Sequence, residues 1–176
     1  MSLVNKYFDE AQSSDERDMH LEMMKEFRMD DDSAFWLSED VGVMMDYAVN
    51  CLHYSHTDCA GMFARSTVAR CIEISSPRYI YGLSGIELWL HVERELFGVE
   101  FMDKRKSASR AGYACNGGPE WWVGSRLLLL QWRACIRFAD ILERIPIKRF
   151  FVMYPTYHEM DDSHFLNDML YELARM

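Results

Sequence analysis

The sequence predicts an all-α protein, a compact single-domain helical bundle arranged around one buried central helix. Three observations carry this. First, Pro119 to Ile136, PEWWVGSRLLLLQWRACI, opens with Pro and Glu at a first helical turn and continues in helical chemistry. Its apolar side is nearly continuous through Trp121, Val123, Leu127, Leu128, Leu129, Leu130, Trp132 and Ile136. A helix so apolar in a soluble chain belongs in the core with others packed round it. Second, apolar residues elsewhere recur at helical spacing, with no series of alternating strands and no fixed-period repeat. Third, 176 residues, 49% of them hydrophobic, suffice for one core, burying about 70% of the unfolded surface.

Taken in order, residues 1–12 have the spacing of a short docking helix in Leu3, Val4, Tyr7, Phe8 and Ala11. Asp15 to Met29 forms a second, with Met19, Met23, Met24 and Phe27 on one side and acids on the other. Asp30-Asp31-Asp32-Ser33 is a solvated turn or an N-cap platform; the spaced ligands and turn glycine of a calcium loop are missing. Phe35 to Leu52 reads as a helix with Trp36, Val43, Met44, Tyr47, Ala48 and Cys51 inward. Asp58 to Ile74 is one further helix, stopped by Ser75-Ser76-Pro77. Tyr79-Ile80-Tyr81 is an extended or turn segment.

Ser84-Gly85-Ile86-Glu87 matches a capping box and opens a helix to Phe97, with Ile86, Leu88, Trp89, Val92 and Leu96 buried and Gly98 as its stop. Lys104 to Asn116 is the mobile loop before the central helix. Phe138–Ile145 and Ile147–Met153 are short helices separated by Pro146, the second ending at Tyr154-Pro155. A last helix runs from Asp162 to Ala174 on Phe165, Leu166, Met169, Leu170 and Leu173. The expected total is roughly seven to nine helices.

Composition narrows the function classes. The net charge of −9 is unevenly spread: residues 1–62 carry 4 basic and 14 acidic side chains, whereas 63–150 carry 14 basic and 9 acidic. The reading is of acidic N-terminal helices over 1–62 packed on a helical core over 63–176, either pairing internally or offering two surfaces to different partners. Five cysteines without a paired framework fit a reducing compartment. No apolar run is long enough to span a bilayer or to form a signal peptide. The expectation is a cytoplasmic protein with no membrane contact, and acidity weighs against nucleic acid.

The C-terminal third carries a recognisable pattern. Trp122-Val123-Gly124, Gln131-Trp132, Met153-Tyr154-Pro155-Thr156-Tyr157-His158-Glu159-Met160 and Phe165 resemble a family of small uncharacterised bacterial proteins with W-V-G-x-x-L-x-x-x-Q-W followed by M-Y-P-x-x-H-E. Gly82-Leu83-Ser84-Gly85-x-Glu87-Leu88 fits it loosely, so the resemblance covers residues 77–166. It implies a helical fold, a bacterial origin and an accessory role of the toxin–antitoxin kind, with no catalytic residue attached. Where relatives have aromatics after W-V-G and before Q-W, this chain has Ser125 and Leu129-Leu130, which alters a surface the family would share.

Four groups of residues are candidates for chemistry. Cys51, His53, His56 and Cys59 are zinc-type donors, but on a continuous helix the last three spread over about 120°. They converge only with a break near Ser55-His56-Thr57, and two core cysteines and two histidines at a helix junction are the favoured reading. His158-Glu159 and His164 lack the H-E-x-x-H spacing; Thr156 and Glu159 match a capping box, and Asp161 or Asp162 can cap the last helix. Arg126, Arg133 and Arg137 fall within about 40° on the central helix, with Trp122 and Leu130 alongside. That stripe suits an acidic partner, a phosphate or a carboxylate, or pairs internally with Glu87, Glu93, Asp140 or the early aspartates. Lys104-Arg105-Lys106 with Arg110 is basic but lacks a phosphate-loop spacing. Gly82-Leu83-Ser84-Gly85 is no nucleophile elbow, and only Cys115 has basic, Gly-rich neighbours.

These readings favour a non-enzymatic protein-interaction domain, antitoxin-like or accessory, with a protein partner, no cofactor and a homo-oligomer as an open option. The alternative is a ligand-binding protein or enzyme with a pocket at Trp122, Arg126, His158 and Glu159.

Overall fold

The computed structural model describes residues 14–98 and 113–175. The expected helix at 1–12 and the basic Lys104–Lys106 and Arg110 stretch lie outside the described residues. Within them every regular element is a helix, and there are no strands. The helices are α1 (Ser14–Glu26), α2 (Asp31–Asp46), α3 (His56–Arg65), α4 (Thr67–Glu73), α5 (Pro77–Tyr81) and α6 (Gly85–Phe97). They continue as α7 (Pro119–Ala134), α8 (Phe138–Arg144), α9 (Ile147–Tyr157) and α10 (Asp162–Ala174). None of them is long and apolar enough to cross a membrane.

The central helix is α7. Val123, Leu127, Leu128 and Leu130 are fully buried on it, as are Ser125 and, nearly, Gln131. Its main neighbour is α2, with α9, α10 and α8 along its other sides. Two glycines set that contact: a Cβ on Gly124 would lie 2.6 Å from the Val41 carbonyl oxygen, and one on Gly42 would lie 2.7 Å from that of Trp121. Backbone is the obstacle in both, so no rotamer change relieves it. The acidic front therefore supplies, through α2, the main neighbour of the central helix.

Local chemistry places most helix starts. Asp30 caps α2 by accepting the Ser33 N–H at 2.7 Å. That bond first, then the Ser33 hydroxyl, holds its carboxyl below the usual range. Ser84 and Glu87 form the expected capping box of α6, which ends at Gly98 with φ +81°. Asp161 caps α10 through the Ser163 N–H at 2.8 Å.

Several expectations are corrected. α2 gives way to a wider turn at Tyr47–Cys51, where the Leu52 N–H reaches the Tyr47 carbonyl at 3.2 Å. Asp58–Ile74 is two helices, because Ser66 turns extended and caps α4 through the Ala69 N–H at 3.1 Å. Tyr79–Tyr81 is the end of helix α5, which Pro77 opens as its first residue. α9 runs through Pro155 to Tyr157; the proline gives up one bond to the preceding turn, and the helix ends two residues later. Thr156 thus lies inside a helix and forms no capping box with Glu159. α7 stops at Ala134, since Cys135 adopts φ +52°. With these breaks the described residues hold ten α-helices.

Side-chain direction is corrected in α1 and α2. α1 buries His20 and Met24, leaving Met19 and Phe27 exposed. In α2 the buried apolar set is Ala34, Leu37, Val41, Met44 and Met45, followed by Tyr47 and Ala48 in the wider turn, whereas Trp36 is 68% exposed. At 100° per residue Trp36 lies about 130° from the centre of the α2 arc, so the helix that buries the arc turns Trp36 outward.

Candidate functional site

The first half of α7 projects Trp122 and, one turn later, Arg126 towards α9 and α10. Trp122 is 2% exposed. Its ring makes edge contacts with Tyr154 at 5.6 Å and Phe165 at 5.0 Å between centroids, a geometry that suits the ring quadrupoles. The Arg126 guanidinium lies 5.6 Å from the Trp122 ring centroid. Its Nη2 meets Asp162 Oδ1 at 2.5 Å, with the arginine side chain 12% exposed. Burial pulls this guanidinium below its ordinary value, and Asp162, Glu39 and Asp161 oppose that.

A polar chain leads from here to α2. Arg126 Nη1 donates to Ser125 Oγ at 3.3 Å, Ser125 Oγ to Ser38 Oγ at 3.1 Å, and Ser38 Oγ to the Phe35 carbonyl at 2.7 Å. It ends beneath the ring pair Phe35 and Trp36, which touch edge to face at 5.6 Å and are 50% and 68% exposed. Tyr81 stands beside the same turn: its hydroxyl is 2.6 Å from Ser33 Oγ, and its ring is exposed. Four carboxylates, Asp31, Asp32, Glu39 and Asp40, lie three or four residues from Phe35 or Trp36 along the helix. Burial pushes Glu39 above the carboxylate range, with Arg126 opposing and Asp162 and Asp40 adding. Burial raises Asp40 as well; the Gly85 N–H opposes and Glu87 adds. Among the described residues no cation comes within 4.0 Å of either carboxylate.

The expected site residues are thus partly brought together. Trp122, Arg126 and His158 join one cluster through Tyr154, whose ring is 4.6 Å from that of His158 and whose carbonyl is 3.0 Å from His158 Nδ1. Glu159 is exposed, 3.7 Å from His158 Nε2. Arg133 is exposed further along α7, its guanidinium 6.0 Å from the Trp132 ring centroid. Arg137 has left the stripe, because the left-handed Cys135 ends α7 and makes Arg137 the residue before α8. There it grips Asp140 with two bonds of 2.8 and 2.6 Å, and Arg17 of α1 binds the same carboxylate. Of the anions anticipated for the arginines, Asp140 is used. Arg126 takes Asp162 instead, a residue assigned only to capping.

The Cys51–Cys59 group does not converge, although the chain does break there. His53 is exposed with φ +63°, and Cys59 is fully buried, its thiol pushed up by burial. His56 stacks on Phe151 at 3.9 Å and contacts Glu120 Oε1 at 3.1 Å. Among the described residues no three His, Cys, Asp or Glu side chains are placed to hold a metal. A helix-junction role for these four residues fits that geometry.

Two features lay outside the sequence reading. One is the exposed Phe35–Trp36 pair, which follows only once packing has fixed the buried arc of α2. The other is a buried pair, His20 Nε2 and Glu73 Oε2, 2.6 Å apart. Glu73 also accepts the Phe138 N–H at 2.7 Å, tying α1 and α4 to α8. Isolated polar residues in short helices carry no spacing signal for such a contact.

No family model matches the chain, and no curated protein or solved structure matches it either.

Proposed function

We propose that this protein acts by binding another protein, as a bacterial accessory or antitoxin-like component, through the face that carries Phe35 and Trp36. The accessory part of this reading comes from the resemblance of Trp122–Glu159 to small bacterial proteins. The observation that carries the binding part is the exposure of two adjacent large aromatics on the helix whose other side packs against the central helix. Aromatic residues supply much of the energy at protein interfaces, and an adjacent, mutually braced pair loses little freedom on docking. The arginine stripe gives this role less support, because Arg126 and Arg137 are already held by Asp162 and Asp140.

Affinity capture from bacterial cells tests the reading with three versions of the chain: wild type, Trp36→Ala and Arg133→Glu. The expected outcome is a protein retained by wild type and Arg133→Glu and lost from Trp36→Ala, while circular dichroism shows all three folded. Equal capture by all three would overturn the proposed face.

One observation favours a second reading, a small-molecule site at Trp122, Arg126, His158 and Glu159. The Trp122 indole N–H is buried without an acceptor among the described residues, and a bound acceptor would satisfy it. A ligand that raises the melting temperature of wild type and leaves that of folded Trp122→Phe unchanged would establish that reading.

A further inference from the structure

We infer that the partner docks on the Phe35–Trp36 face with a cationic amphipathic segment, apolar on one side and Arg- or Lys-bearing on its flanks. This rests on the protein-binding reading above and specifies the chemistry of the partner.

The apolar centre of the face is Phe35 and Trp36, extended by the Tyr81 ring that Ser33 holds by its hydroxyl. Its rim is anionic on every side that α2 supplies. Asp31 and Asp32 lie one turn before the rings, and Glu39 and Asp40 one turn after them. Beyond Glu39 stand Asp161 and Asp162 at the start of α10, and both act on Arg126. Arg126 is the cation nearest this rim in the electrostatic contacts of Glu39, and Asp162 has already engaged it at 2.5 Å. Among the described residues the face therefore combines an exposed apolar centre with four carboxylates on α2 that form no ion pair.

A partner covering the rings takes water from those carboxylates. An acidic or neutral partner would leave them desolvated without a counter-charge, which opposes association. A cationic partner reverses the sign: its guanidinium or ammonium groups replace the lost water and speed encounter at low salt. Trp36 adds a specific seat, since an exposed indole face accepts a guanidinium by cation–π contact. Glu39 and Asp40 already sit in surroundings that disfavour their charge, so an incoming cation relieves an existing electrostatic cost.

The test uses the full chain and a labelled helical peptide with Leu on one face and Arg on the other, read by fluorescence anisotropy. A second peptide carries Glu in place of Arg. The expected result is binding of the Arg peptide only, weakening about tenfold or more in Trp36→Ala and in the double variant Asp32→Asn, Glu39→Gln. Binding should also fall steeply as salt rises, and Arg133→Glu should bind as wild type does.

Equal binding of the Glu peptide, or no effect of the Asp32→Asn, Glu39→Gln pair, would overturn the cationic partner while leaving the aromatic face as a docking site. Failure of the Arg peptide to bind at all would overturn it too, with the capture experiment still deciding the broader reading. Unchanged binding to folded Trp36→Ala would place the peptide elsewhere and count against both. Self-association of the wild-type chain, abolished by Trp36→Ala in sedimentation, would assign the face to a second copy and overturn the inference.

Discussion

Two acidic regions of this molecule use their carboxylates in opposite ways. Where α1, α4 and α8 meet, the carboxylates of Glu73 and Asp140 are both answered. Glu73 holds His20 and the Phe138 N–H, and Asp140 holds Arg137 and Arg17. Burial alone would raise Asp140, but the bonds and charges of Arg137 and then Arg17 outweigh it and keep the carboxyl below its ordinary range. On the outer face of α2, burial wins instead, and Glu39 and Asp40 stand above their ordinary range beside exposed rings. The first region closes on itself and holds three helices together. The second makes no such internal ion pairs among the described residues, and it is the face proposed above for a partner.

The largest way to break that comparison is Glu73→Ala. Removing this buried carboxylate strands both His20 and the Phe138 amide, and the expected loss is about 3 kcal/mol in urea unfolding. A loss below about 1 kcal/mol would mean that the junction is not held by its charges.

A smaller, pH-dependent effect separates the two regions by sign. Asp140 has a lowered folded value, so its contribution is complete above the unfolded carboxylate value and is lost as pH falls through the folded one. Glu39 has a raised folded value. Its contribution is complete below the unfolded value and is lost as pH rises through the folded one. Asp140→Asn should therefore cost stability at neutral pH, by about 1–2 kcal/mol. Glu39→Gln should be more stable than wild type at neutral pH, with the gap closing on acidification. Thermal melts of the three proteins across the acid range read both signs, and a common sign would erase the distinction.

The smallest expected effects sharpen the other side. Trp36→Ala and Arg133→Glu should each change stability by no more than about 0.5 kcal/mol, because both side chains are exposed. A substantial loss in Trp36→Ala would make that ring a structural element and remove the argument for a partner.

Much of the fold was legible because helix starts are written locally. The pairing of Ser84 with Glu87, the proline at 119 and the aspartate at 161 act within four residues, and each marks a start that the structure retains. The candidate site was legible only in part. Trp122 and Arg126 are one turn apart on one helix, so their proximity follows from spacing. Arg137 shares their arc only if the helix continues, and a single left-handed residue at Cys135 removes it. The sequence offers two apolar arcs about 140° apart here, through Trp36, Val43 and Tyr47 or through Leu37, Val41 and Met45. Periodicity alone does not choose between them.

By itself the sequence determined that this chain is helical, where most helices begin, and that α7 is the apolar centre, because capping and hydrophobic period are properties of neighbouring residues. The tertiary structure decided which arc of α2 is buried, which anion each arginine meets, and hence which charges are spent internally. Those choices depend on the close approach of backbones at Gly42 and Gly124 and on where α10 brings Asp162. Both are distances between segments far apart in the chain, and no local pattern encodes them.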